Sequence, residues 1–485
     1  MPTMEDQYSS YTALLYVFNL IVGTGALALP KAFDDAGWLL STISMIVMAL
    51  MSYITATFVI EAISRCHSIL QWERVERMKA VSRVIRSAID PDEDEEAYDS
   101  TEDSLMLPPE YIENFPSQPQ KMFTLDVKVE MSVMANTVFN HYGQILFYIC
   151  LCVYLYGDLT IYSAAVSKSI VDTFCNNATD NATMSTMCWE GYNFTVGGVY
   201  KICLGCFLLL LGPYVFFNVQ KTKFLQMITS VSRWLTFSLM IGLAIWRMSS
   251  PSFEHGSPSM AKWLGTPAMF GSSIYSFMCH HSLPGLISPI KDKKNLYAYL
   301  AFDYLAILAF YLTLCLTAVF AFPSIQELYT LNFAPNMDSE KIGFLGYVLA
   351  LFPVYTLTTS FPIIAITLRG NLQAMFVKFQ WRVLHSVILP IVAVVPPVII
   401  AMTTLNIETL VYITGAFGGV AIQYIIPTVL VVLSRIQTPP ALVRIPNPHD
   451  SPFKSIFWAI LVFLWAMICY GLVLYNLFTS KLDIL

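Results

Sequence analysis

The sequence predicts an all-α integral membrane protein, and three observations carry that prediction. Hydrophobic residues fill 56% of the 485 positions and charged residues 12%, against about 45–50% and 25% in soluble domains. Apolar runs of about 20 residues, the length that crosses a hydrocarbon core about 30 Å thick as a helix, recur along the chain. Lys and Arg are distributed unevenly between alternate loops. The composition excludes a water-soluble enzyme and a wholly disordered chain, because 32 Phe, 26 Tyr and 9 Trp need burial. A formal net charge of −6 leaves no basic surplus for nucleic acid.

Eleven spans are expected, at 12–30, 38–61, 143–171, 197–217, 231–248, 265–288, 297–321, 342–366, 383–402, 409–434 and 455–478. Residues 1–11 are polar and carry Glu5 and Asp6, so they lack the basic start of a cleavable signal peptide and the first span is retained. With this end in the cytosol, the short inner loops hold Lys221, Lys223, Lys291, Lys293, Lys294, Arg369, Lys378, Arg382, Arg435, Arg444 and Lys454. The short outer loops hold Lys31, Lys262 and Lys341. Eleven against three is the asymmetry expected when cations resist translocation, and it puts the tail 479–485 outside. The outer loop 172–196 contains three acceptor sites for N-linked sugar, Asn177, Asn181 and Asn193, each followed two positions on by Thr. Cys175 and Cys188 share that loop, where an oxidising compartment allows a disulfide. A plasma membrane and a lysosomal or endosomal membrane both fit.

The segment 62–142 is expected on the cytosolic side. Trp72 to Ile89 has the spacing of a surface helix, and the acidic stretch from Asp90 to Asp103 reads as a disordered linker able to hold a cytosolic partner. The polar stretch from Val127 to His141 is expected at the surface before the third span.

Two spans are interrupted. The first contains Val22-Gly23-Thr24-Gly25 and the sixth runs from Phe270 through Ser272, Ser273, Ser276, Phe277, His280 and His281 to Pro284. A polar, glycine-rich break at membrane depth is tolerated only where protein or a water-filled cavity supplies partners for the freed backbone. The breaks lie five spans apart, so their helices run in opposite directions, as an inverted repeat requires. Val22, Gly23, Thr24, Gly25, Ser273, Ser276 and Phe277 are therefore the candidate substrate-binding residues.

Other polar residues sit at depth. Asp158, near the middle of the third span, is a candidate proton-coupling acid, because a carboxylate there is costly unless protonated or paired. His280 is a second candidate, imidazole being the side chain that titrates near neutral pH. Asp303 and Glu61 are placed near span ends, within reach of the interface. No Walker loop, zinc-ligand spacing or recognisable catalytic triad stands in the sequence, so no enzyme and no bound cofactor is expected.

The run Asn19-x-x-x-Gly23-Thr24-Gly25-x-Leu27-x-Leu29-Pro30, with Ala32-Phe33 and Ala36-Gly37 after it, resembles the first span of the amino acid/auxin permease family. Phe277-x-Cys279-His280 with Leu283-Pro284 is similar to that family's sixth span, and Ser360-Phe361-Pro362 to its eighth. The resemblance implies a LeuT-like fold, with two inverted five-span repeats and an eleventh helix. It also implies a secondary transporter of amino acids or similar zwitterions, coupled to sodium or protons. In the sodium-coupled members an amide and a hydroxyl hold the ion; the matching positions are Asn19 and Ser360, with Thr359 beside them. A non-transporting amino acid sensor using the same pocket is the alternative.

Overall fold

A computed structural model describes residues 8–89, 122–175, 183–189, 193–217, 223–335, 343–376, 379 and 381–482. The acidic stretch from Asp90 to Asp103 and the acceptors Asn177 and Asn181 lie outside the described residues. Within them the elements are helices, with two isolated β-bridges and no longer strand.

In chain order they are α1 (Ser10–Ile21), α2 (Gly25–Ala36), α3 (Trp38–Ile89), α4 (Met131–Val138), α5 (His141–Phe174), α6 (Val196–Phe216), α7 (Lys223–Ser249), α8 (Thr266–Ser276), α9 (Leu283–Ile287), α10 (Leu296–Ala321), α11 (Phe344–Met375), α12 (Leu384–Ala401), α13 (Ile407–Gln437) and α14 (Ile456–Leu482). Side-chain caps define several starts: Asn140 accepts from the Gly143 N–H at 2.9 Å ahead of α5, and Thr195 from the Gly198 N–H at 3.1 Å ahead of α6. Prolines open α8 and α9 at Pro267 and Pro284, positions where the missing N–H has no helical partner to lose.

Nine helices among the described residues are long and apolar enough to cross a membrane, and the α1–α2 pair, bent by 55°, brings the number to ten. The number stays below the eleven expected because the sixth stretch, 265–288, is not one helix. It is α8, eleven residues, and α9, five residues, with 277–282 between them. Both interruptions foreseen from the sequence are thus true breaks in the helices. By contrast, the expected surface helix at Trp72 to Ile89 is no separate element. It continues span two as one 52-residue helix, α3, because neither glycine nor proline occurs between Trp38 and Ile89 to end it. The stretch before α5 forms the short helix α4, which buries Met131, Met134, Ala135 and Val138.

At the centre of the bundle α2 and α13 pack on α8, and α5 packs on α13. α13 contains two π-helical turns, at Gly415–Gly419 and Ala421–Ile425. Gly415 is there for space: a Cβ on it would lie 2.1 Å from the Gly271 carbonyl oxygen of α8. Away from the centre, Cys175 at the end of α5 is joined to Cys188 by a disulfide, and exposed Asn193 lies five residues beyond.

Glu61 does not reach an interface. Its side chain is fully buried in α3, and Arg435 of α13 grips both oxygens at 2.8 and 2.6 Å while Arg65 donates at 2.7 Å and the Ser451 N–H at 3.0 Å. Arg65 also reaches Asp450 at 2.7 Å. α3, α13 and the segment leading into α14 are thereby pinned at one point. Removing one partner of a buried pair strands the other charge, which costs about 3–5 kcal/mol. Glu61→Ala is therefore expected to lower the thermal unfolding midpoint of the purified protein more than Asp450→Ala, whose side chain is partly exposed; equal losses would show that the buried charge is not what holds the cluster.

Candidate functional site

The site is built around helix ends that should not exist in a bilayer. The last four carbonyls of any helix lack intrahelical donors, and α1 ends at Ile21 inside the bundle. Three of its four are accounted for. The Phe18 carbonyl accepts from the Val22 N–H at 2.8 Å, the Asn19 carbonyl from Arg233 Nη1 at 2.9 Å, and the Ile21 carbonyl from the Gly23 N–H at 2.9 Å and the Tyr311 hydroxyl at 3.0 Å. At the end of α8, the Ser273 carbonyl accepts from the Phe277 N–H at 3.0 Å, and the Ser276 carbonyl accepts from the same Tyr311 hydroxyl at 2.9 Å. One phenol on α10 therefore stands between both broken ends, its single proton shared by two carbonyls.

The two breaks are in direct contact. A Cβ on Gly25 would lie 2.7 Å from the Ser276 Cα, so only glycine lets the start of α2 cross the end of α8 this closely, whereas nothing stands within 4 Å of a Cβ on Gly23. Thr24 Oγ1 is 3.1 Å from the Tyr275 hydroxyl. The carboxyl group of Asp158, buried on α5, faces the hydroxyls of Tyr275 and Tyr154, so a polar path runs from Asp158 through Tyr275 to Thr24. Val22 and Phe277 are buried beside it, Phe277 packing edge-on against the ring of Tyr311. Ser276 Oγ donates to the Ser272 carbonyl at 2.7 Å. The buried hydroxyls of Ser272 and Ser273 have no hydrogen-bond partner among the described residues.

His280, fully buried in the second break, sits with Nε2 2.8 Å from Thr55 Oγ1 and 3.2 Å from the Ser52 carbonyl. It ties the break to α3 rather than facing the Asp158 path. Asp303, also buried, lines a separate cleft under α1 with Val17, Ile60, Leu283 and Ile287.

Asn19 and Ser360 are brought together, but with a cation of the protein's own between them, and Thr359 turns back onto its own helix. Arg233 of α7 directs Nη1 to the Asn19 carbonyl and Nη2 to Ser360 Oγ at 3.4 Å. Ser360 and Thr359 each donate to the Thr356 carbonyl, at 3.2 and 2.8 Å. Among the described residues no carboxylate lies within ion-pair distance of Arg233, and no group of three His, Cys, Asp or Glu side chains is placed to hold a metal. Sequence reasoning passes over Arg233 and Tyr311. The signal for Arg233 was present, since an ionisable residue within an apolar run marks a functional position by default; Tyr311 is one aromatic residue among many.

The N-terminal ends of α1 and the exit of α9 are fastened together. The Tyr8 N–H donates to the Pro289 carbonyl and the Lys291 N–H to the Tyr8 carbonyl, each at 3.1 Å, and the Tyr8 hydroxyl donates to the Leu286 carbonyl. Lys293 closes the same corner, bonding the Ile290 carbonyl at 2.6 Å and Asp126 Oδ1 at 2.8 Å. Burial pushes the Asp126 carboxyl up, but hydrogen bonds from Lys293 and Thr124 outweigh it and hold the group below the usual carboxylate range.

Comparison with known proteins places these features in context. The sequence profile described as transmembrane amino acid transporter protein matches residues 6–474. The chain is 42% identical to transmembrane protein 104 of Homo sapiens, with 98% of each chain covered, and 40% identical to the transmembrane protein 104 homolog of Drosophila melanogaster, with 97% of each covered. The homolog of Dictyostelium discoideum is 32% identical, covering 96% of this chain and 97% of that one. Among solved structures, MhsT in complex with L-phenylalanine superposes with a TM-score of 0.48 at 12% identity, covering 98% of this chain and 99% of that one.

Two substitutions probe the crossing. Gly25→Ala drives a methyl group into the Ser276 backbone and is expected to cost about 1–3 kcal/mol, while Gly23→Ala, with open space around it, costs far less; thermal unfolding of the two purified variants compares them, and equal effects would remove close approach as the reason for Gly25. Tyr311→Phe deprives two buried carbonyls of a donor, an expected loss of about 1–3 kcal/mol by the same measurement; an unchanged midpoint would mean the phenol is not their partner.

Proposed function

The chain belongs to the transmembrane amino acid transporter family, and from that premise we propose that it is a secondary transporter of amino acids or similar small zwitterions, working by alternating access. The observation that carries the reading is the meeting of two broken helices across Gly25 and Ser276. A helix N-terminus presents free N–H groups and the positive end of its dipole, so the start of α2 at Gly25 suits a carboxylate. The unwound carbonyls and the hydroxyls of Thr24, Ser273 and Ser276 suit an ammonium group. Val22 and Phe277 shape the apolar remainder. Rocking of the broken spans against α3, α5, α10 and α11 opens the site to either side in turn, and the Tyr8–Lys291 fastening has to release in one half of the cycle.

Asp158 is the proton carrier of this reading. A carboxylate at that depth is expensive when charged, and its path through Tyr275 to Thr24 links its protonation to occupancy of the first break. His280, held by Thr55 and Ser52, positions the second break instead. The distribution of Lys and Arg supports a cytosolic N-terminus and an outer face carrying sugar at Asn177, Asn181 and Asn193, in a plasma membrane or in a lysosomal or endosomal membrane. The segment 62–142 would be the cytosolic surface available to a partner.

The test is uptake of radiolabelled amino acids by proteoliposomes containing the full chain. We expect uptake of at least one amino acid, accelerated by an inwardly directed proton gradient. Asp158→Asn should abolish that acceleration while preserving exchange of internal for external substrate. Acceleration that survives in Asp158→Asn would reject the carrier role. Specific amino acid binding without flux under any ion gradient would overturn the transporter and leave a membrane sensor.

A further inference from the structure

The two positions that the family resemblance gives to a sodium ion, Asn19 and Ser360, are bridged by the guanidinium of Arg233. This side chain is half-buried. Its surroundings are aromatic, with Trp234 stacked on Phe18 at 4.1 Å between ring centroids and Phe237 and Phe310 lining the same recess. The partners it has found are a carbonyl in the last turn of α1 and a hydroxyl of α11, both uncharged oxygens.

Those are the ligands a hard, monovalent cation takes. The C-terminal end of α1 also carries the negative end of its dipole, so the broken first span calls for positive charge at that place. Arg233 supplies it permanently, because a guanidinium does not lose its proton in proteins. A sodium ion on the same oxygens would lie within a few ångströms of that charge in a medium of low dielectric, where repulsion is strong. Residues present and ion do not fit together.

We infer that Arg233 takes the place of the coupling cation, so that this chain holds its first break in register without sodium. The guanidinium is tethered to α7 and links α1 to α11. A coupling ion can then enter only elsewhere. The inference goes beyond the transport reading and does not depend on it, because the charge is tested on the free protein with no substrate present.

Purified full-length protein in nanodiscs is unfolded by heat in sodium chloride or in choline chloride of equal ionic strength. The wild-type midpoint is expected to be the same in both salts, and so is that of Arg233→Lys, which keeps the charge. Arg233→Ala opens space at the two oxygens; its midpoint should fall in choline chloride and recover in saturable fashion with sodium, by about 3 °C or more at saturation. A saturable rise of the wild-type midpoint with sodium overturns the inference, and so does an Arg233→Ala protein that folds but ignores sodium. Should Arg233→Ala yield no folded protein, the lysine variant decides. Wild-type stability without a salt response supports the inference, whereas collapse like that of Arg233→Ala shows that fork geometry rather than charge is what the site requires.

Discussion

A backbone that unwinds at membrane depth must be given hydrogen-bond partners from outside its own helix, and much of this molecule is arranged around that demand. Each break leaves carbonyls that neither lipid nor the helix can satisfy. The answer here is convergent: Tyr311 serves both broken ends with one hydroxyl, and Arg233 serves the first end together with α11. The close crossing at Gly25 serves the same demand, since a single phenol can reach the Ile21 and Ser276 carbonyls only if the two breaks lie side by side. The glycines of α13, in π-helical turns against α8, bring the opposite wall to a similar distance.

Buried charge is handled in two ways. Glu61 is enclosed by two guanidinium groups and an N–H, a cluster in which the opposing charges satisfy one another and the helices are fixed. Arg233 has no such counter-charge among the described residues and relies on a carbonyl and a hydroxyl. The first arrangement belongs to scaffold helices, α3 and α13; the second touches the helix that breaks. Asp158 is intermediate, a carboxyl group faced by two phenols, one of which also meets Thr24.

The elements that were legible in the sequence are those governed by local chemistry. Gly23 and Gly25 around Thr24, and the polar stretch ending in Pro284, announce backbone that cannot remain helical, and both breaks fall there. Apolar runs locate the long helices but not all of their ends, since α3 runs on to Ile89, α11 to Met375 and α7 starts at Lys223. What could not be read is what depends on pairs distant in the chain. Nothing near Arg233 indicates that its partners are 214 and 127 positions away. Nothing near Glu61 foretells Arg435, so a placement near the membrane edge looked natural for a side chain that is fully enclosed. The continuity of α3 was available in principle, through the absence of any helix-breaking residue before Pro91, but the shift from apolar to charged composition hid it.

That continuity has a mechanical corollary. At about 1.5 Å per residue, the 52 residues of α3 make a rod roughly 78 Å long, more than twice the thickness of the hydrocarbon layer it crosses. The clasp at Glu61 grips it short of its midpoint, which makes that clasp a fulcrum. Leaning of the arm inside the bilayer is therefore carried over to the arm beyond it, whose tip swings about as far in the opposite direction, so a probe attached near the distal tip would report motion of the buried segment from outside the membrane.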